Sequence, residues 1–146
     1  MVNLKINNIT KVYNDKTVLN NISFEVNDGE FLSILGPSGC GKTTLLKILI
    51  GIESPTSGEI IKNEKDITNL DPSKRGMGIV FQNYALFPDM NVLDNVMYAL
   101  NLKLKNKDKA KKEAMKVLNV VNMDEHINKY PHELSGGQQQ RVAIAR

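Results

Sequence analysis

Gly36-Pro37-Ser38-Gly39-Cys40-Gly41-Lys42-Thr43 is the stretch that decides the fold. It fits G-x-x-x-x-G-K-[ST], and each fixed position has a physical reason. Glycines reach backbone angles closed to other residues and let the main chain approach a ligand. Successive N–H groups can then turn inward as an anion-binding concavity. A helix that follows adds the positive end of its dipole. Lys42 is placed to reach the outer phosphates of a nucleotide, and the Thr43 hydroxyl to bind Mg2+. A random chain of this length would match the pattern about once in 200 tries, so a chance turn is the weaker reading. Cys40 reads as loop filler, although a helix N-terminus can activate a thiol.

The flanks agree with the loop. Phe31–Leu35 is a short apolar run that predicts a buried parallel strand entering the loop. Lys42 to Ile50 predicts the helix leaving it, with Leu45, Leu46, Leu49 and Ile50 as its apolar stripe and Gly51 as its C-cap. Upstream, Val2, Leu4 and Ile6, then Ile22, Phe24 and Val26, alternate with polar residues as β-strands do. Turn clusters at Asn14-Asp15-Lys16 and Asn27-Asp28-Gly29 separate these runs. Downstream, Glu59–Ile61 is a short strand candidate and Asn63 to Met77 is polar and irregular. Gly78–Gln82 again predicts a buried strand. The last third is helical. Asn91 caps a helix that carries Asp94 in its first turn. Ala110, Ala114, Val117, Leu118 and Val121 form the stripe of a second helix. Pro131 breaks the chain and Ser135 opens a third helix running to Arg146.

Leu134-Ser135-Gly136-Gly137-Gln138 supplies a second candidate anion site. Ser135 is a good N-cap, and the two glycines leave N–H groups open at a helix start. By residue usage this pentapeptide should arise in a chain of this length on the order of once in ten thousand, which an ordinary capped turn does not explain.

A phosphate loop followed by Leu-Ser-Gly-Gly-Gln resembles the ATP-binding cassette (ABC) ATPases, and the resemblance covers the whole chain. It implies an α/β fold of the P-loop NTPase class, with an incomplete core sheet, an N-terminal antiparallel β subdomain and a helical subdomain. The implied divisions are a β-rich start over 1–35, a phosphate-loop core over 36–82, a helical subdomain over 83–133 and a signature helix over 134–146. ATP and Mg2+ are the implied cofactors. Tyr13 resembles the aromatic residue that stacks on adenine. Gly36, Pro37, Ser38, Gly39, Cys40, Gly41, Lys42, Thr43 and Thr44 form the phosphate cradle. Gln82 resembles the glutamine that contacts Mg2+ and the attacking water, so Thr43 and Gln82 are the implied metal contacts and Lys42 and Gln82 the catalytic ones. Family members dimerise head to tail, so Ser135, Gly136, Gly137 and Gln138 are implied to close on ATP held by a second ATPase subunit. Gln82-Asn83-Tyr84-Ala85-Leu86-Phe87-Pro88 is similar to importer subunits, where it leads to the transmembrane permease. Polyamines, sulfate, ferric iron, phosphonates or sugars are the solutes of such importers.

The sequence departs from the family in one large respect. The Asp-Glu pair after the signature helix and the later switch histidine are not in it, and neither His126 nor His132, both expected at the surface, fits the switch position. A fragment with weak hydrolysis by itself is the expectation, because hydrolysis needs a positioned water and metal charge stabilisation. The missing strand would also leave an apolar sheet edge open.

Composition narrows the alternatives. With 146 residues and 24% charged side chains, the chain has the size and polarity of one globular domain. The single cysteine cannot form an internal disulfide. No apolar run approaches the roughly 20 residues that span a bilayer, and no leader peptide opens the chain. Any link to a membrane would therefore go through a partner, and the resemblance implies a cytoplasmic location at the inner face of the membrane through permease subunits. A net charge of +3, with the lysines of Lys103–Lys116 at helical spacing, argues against a nucleic-acid partner. A chromosome-maintenance ATPase with the same site is the less favoured alternative, because no long coiled coil separates the two motifs. A nonhydrolytic nucleotide-binding module is the other.

Overall fold

The computed structural model describes residues 4–146, so the expectation for Val2 lies outside the described residues. The chain forms two compact units, 1–79 and 80–146.

The first unit is a four-stranded antiparallel sheet with a helix against it. Its strands are β1 (Leu4–Tyr13), β2 (Lys16–Val26), β3 (Ser57–Lys62) and β4 (Lys65–Asp66), in the order β2-β1-β3-β4. Asn14 and Asp15 both take positive φ, 42° and 66°, as a two-residue hairpin turn requires. The simple alternation read from the sequence breaks at Asn8. A register shift between Ile6 and Ile9 makes both face the core, and Ser23 ties the bulge by accepting from the Asn8 amide at 2.8 Å. Helix α1 (Lys42–Ile50) has the predicted bounds and ends at Gly51, φ 85°. Its buried stripe is Leu45, Ile48 and Leu49, at i, i+3 and i+4, packed with Ile6, Ile9, Leu19, Ile60 and Ile67. Leu46, expected in that stripe, is exposed on its flank.

The C-terminal end of α1 rests on a residue the sequence did not single out. Arg75, only 4% exposed, donates to the carbonyls of Ile48, Leu49, Leu70 and Thr68. It thereby satisfies carbonyls that a helix end leaves orphaned. A Cβ on Gly51 would meet its guanidinium at 2.5 Å, so residue 51 must be glycine for the arginine to fit. Lys62 of β3 then donates to the carbonyls of Arg75 and Gly76 at 3.0 and 2.8 Å.

Two predicted strands are not strands. Phe31–Leu35 and Gly78–Gln82 have no ladder. A strand exists only through its partner, and among the described residues no segment pairs with either run. Phe31 and Leu35 are each 90% exposed, and Leu32 and Leu35 border an apolar hollow of about 400 Å3 with Leu19, Phe24 and Leu45. The apolar character of Phe31–Leu35 was read correctly, but its burial was not.

The second unit is helical: α2 (Val92–Leu104), α3 (Lys107–Val120) and α4 (Gly136–Ala145). Asn91 caps α2 by accepting from the Asp94 amide at 2.8 Å, as its position predicts. The core joins Val92, Val96 and Met97 of α2, Ala110, Ala114 and Leu118 of α3, and Val142 of α4, with Met123 and Leu134. Val117 and Val121 lie at the margin of the predicted stripe. Asn95, fully buried, accepts from the Phe87 amide and donates to the carbonyls of Phe87, Met90 and Asn91, which shapes the turn into α2.

Candidate functional site

The phosphate-loop residues converge in the first unit. Gly41, φ 96°, is the N-cap of α1 and offers no side-chain cap. A Cβ there would lie 2.8 Å from Leu19 Cδ2 and 3.0 Å from the Val18 carbonyl, so the sheet and the backbone angle both demand glycine. The consequence is chemical. The amides of Lys42, Thr43 and Thr44 open the helix with no intrahelical acceptor, and no side chain caps them. The Lys42 ammonium folds back over the loop and donates to the carbonyls of Gly36 and Pro37, each at 2.7 Å, with Cys40 Sγ at 3.5 Å. An ammonium has three donors, and the third goes only to the Cys40 sulfur, a weak acceptor that a phosphate oxygen would displace. Thr43 is exposed at the same helix start. Cys40 is an exposed free thiol in the loop.

Tyr13 ends β1 and is 40% exposed. Lys11 Nζ sits 4.7 Å from its ring centroid and pairs with Glu53 at 2.8 Å. Desolvation, then the Glu53 carboxylate, pushes the Tyr13 hydroxyl above its ordinary value; smaller opposing effects come from the Lys11 charge and then from Thr44, in the first turn of α1. The hydrogen bond from Lys11 holds the Glu53 carboxyl below the usual carboxylate range.

The signature residues lie in the second unit. Ser135 caps α4 by accepting from the Gln138 amide at 3.3 Å, and the Gln138 side chain accepts from the Ser135 amide at 2.9 Å. This reciprocal capping box leaves the amides of Gly136 and Gly137 without a helical acceptor. Gln138 also contacts His126 at 3.2 Å, so His126 is half-buried rather than a free surface residue; His132 is exposed as expected. Gln82, in a turn, is exposed. The candidate site thus divides between the units, with Tyr13 and Gly36–Thr44 in one and Gln82 and Ser135–Gln138 in the other.

Among the described residues, no cluster of three or more His, Cys, Asp or Glu side chains could hold a metal ion. The Thr43 hydroxyl suits Mg2+ differently. That ion prefers oxygen ligands, keeps several waters, and binds through one or two protein groups together with substrate phosphates. The open amides, an ammonium donor held only by a weak sulfur acceptor, and one hydroxyl fit a magnesium-bound polyphosphate.

Comparison with known proteins agrees with this geometry. The family described as "ABC transporter" matches residues 19–146. The chain belongs to the ABC transporter family.

Among its relatives, the spermidine/putrescine import ATP-binding protein PotA of Thermotoga maritima is 48% identical over 98% of this chain. The Fe(3+) ions import ATP-binding protein FbpC of Fusobacterium nucleatum is 48% identical over 99% of it. The chain spans 39% of the length of each. Two solved structures of the ABC cassette MJ0796, both described as dimeric and one as a post-hydrolysis state bound to ADP and Pi, superpose with a TM-score of 0.85. They are 36% identical to this chain and match 97% of it, which is 67% of their own chain. This member of the family has, among the described residues, no helix long and apolar enough to cross a membrane.

Proposed function

We propose that the chain is the nucleotide-binding portion of the ATPase subunit of an ABC importer. Gly36–Thr44 wraps the phosphates of ATP, with Lys42 on the outer phosphates and the Thr43 hydroxyl on Mg2+. Tyr13 stacks against adenine. Gln82 meets the metal and the attacking water. Ser135, Gly136, Gly137 and Gln138 serve ATP held by a second subunit in a head-to-tail dimer, so binding closes the dimer and hydrolysis opens it. The segment after Gln82 passes that motion to permease subunits, which hold the protein at the cytoplasmic face of the membrane. A polyamine or ferric iron is the solute class favoured by the relatives.

When bound, Mg2+ and ATP supply the metal charge and the reactive phosphoryl group. The residues of this chain supply binding and orientation. Most of the catalysis of phosphoryl transfer is positioning and electrostatic stabilisation, which amides and an ammonium provide.

One observation carries the reading. The Lys42 ammonium is held by two carbonyls of the loop, and the helix that this loop enters starts without a side-chain cap. Calorimetric titration with Mg-ATP tests it. Charge-assisted hydrogen bonds are worth about 1.5–3 kcal/mol, so Lys42→Ala should weaken ATP binding by roughly 10- to 150-fold. An unchanged affinity would refute the assignment.

A further inference from the structure

Lys11 of β1 is held by three neighbours at once. Its ammonium pairs with Glu53 at 2.8 Å, donates to the Ser54 carbonyl at 2.6 Å and sits 4.7 Å from the Tyr13 ring centroid. The Lys11 side chain is only 12% exposed, unlike the other ion-paired lysines of the molecule. With those partners engaged, it is not poised to act as a phosphate ligand. Its position follows from the strand. Residues 11 and 13 lie two apart in β1, and although the register with β2 shifts between Lys11 and Val12, the ring contact shows that their side chains meet. The loop after α1 is stitched to the same strand: the Thr56 amide donates to the Thr10 carbonyl at 2.8 Å, and the Val12 amide to Thr56 Oγ1 at 3.0 Å. Glu53 and Ser54 are thus delivered to Lys11 by the segment that follows the phosphate-loop helix.

We propose that Lys11, pinned by Glu53 and Ser54, is a positioning residue that covers one face of the Tyr13 ring and presents the other to the base of the nucleotide. The proposal rests on the reading of Tyr13 as the base platform and deepens it. Two physical effects act together. The cation over one face blocks that side to solvent and to the base, so only one stacking geometry remains. It also draws electron density from the ring, which favours stacking of an electron-rich purine on the opposite face. Glu53 keeps the ammonium in place, so the platform is tied to the end of the helix whose start grips the phosphates.

The test separates base recognition from phosphate recognition. Affinities of the 146-residue chain for ATP and for inorganic tripolyphosphate are measured side by side, with thermal melting as the control for folding. Cation–π contacts are worth about 0.5–1 kcal/mol at such sites, so Lys11→Met should weaken ATP binding roughly two- to five-fold. Tripolyphosphate affinity should stay unchanged, and Lys11→Arg should restore ATP binding. In a Tyr13→Ala background, Lys11→Met should have no further effect on ATP. Equal loss for ATP and tripolyphosphate would overturn the proposal, because it would mark a general structural role. So would unchanged ATP affinity, or additive losses in the double variant. If Tyr13→Ala alone left ATP affinity intact, the base-platform reading itself would fall and the proposal with it. If Lys42→Ala left tripolyphosphate binding intact, the phosphate-loop reading would fall instead, while the Lys11–Tyr13 comparison would still stand on ATP alone.

Discussion

The two helix starts of the candidate site are built in opposite ways. Helix α1 begins at a left-handed glycine with no capping side chain, whereas α4 begins at a serine and glutamine that cap each other. The orphan amides that both inherit from helix geometry therefore meet different fates. At α1 no side chain caps them. At α4 part of the demand is met within the chain, by a 3.3 Å bond to Ser135 Oγ and a 2.9 Å bond to Gln138 Oε1. An uncapped start is prepared for an anion and gains most when one binds. A self-capped start is more stable alone, with only the Gly136 and Gly137 amides left open. This matches a division of labour in which the first start holds nucleotide in its own subunit and the second joins from across a dimer.

The comparison can be broken most directly at Gly41. Gly41→Ala forces an L-residue to φ 96° and drives a Cβ into Leu19 and the Val18 carbonyl. Backbone strain of this kind costs about 1–3 kcal/mol before the overlap is added. Thermal melting should show a fall of several degrees, with ATP binding lost in parallel. A variant as stable and as tight as the parent would mean that the left-handed cap is not needed. Ser135→Ala should have a smaller and different effect. Losing an N-cap costs roughly 0.5–2 kcal/mol. ATP affinity of the separate chain should not change, while ATP-dependent dimerisation, followed by sedimentation, should weaken. Weakened binding in the monomer would contradict the assignment of Ser135 to the partner's nucleotide.

The smallest expected effect is on acid stability. Asp66 accepts from the amide and hydroxyl of Thr68, and these bonds, the hydroxyl first, hold its carboxyl below the usual range. A depressed carboxylate contributes stability that is fully present above its unfolded value and lost as pH falls through the lowered folded value. Denaturant melts should therefore weaken as pH drops below the ordinary carboxylate range. Asp66→Asn should flatten part of that slope, and an identical slope in the variant would remove Asp66 from the account.

The local elements that carry the candidate site were legible because they obey local rules. Helix α1, its Gly51 cap, the Asn91 cap and the Ser135 start depend on residues within one turn of each other, and the sequence displays such residues directly. Long-range partners are a different matter. Arg75 lies in a polar stretch with no periodicity, and nothing nearby in sequence marks the carbonyls of Ile48 and Leu49 as its acceptors. Lys11 meets Glu53 and Ser54 only through the fold, since its partners lie more than forty residues away in sequence. Phe31–Leu35 and Gly78–Gln82 carry strand-like apolar residues, but a ladder needs a second segment that their own pattern cannot supply. Asn8 shows the same limit on a smaller scale, since a bulge shifts Ile9 to the core face against strict alternation.

The central claim is that main-chain amides at the start of α1 grip the phosphates of ATP. Amide-resolved NMR titration of the chain with Mg-ATP tests it most directly. The account predicts that the largest saturable shifts fall on Gly39, Gly41, Lys42, Thr43 and Thr44, and that Lys42→Ala abolishes or greatly weakens them. Saturable shifts confined to other parts of the chain, with these amides unmoved, would contradict it.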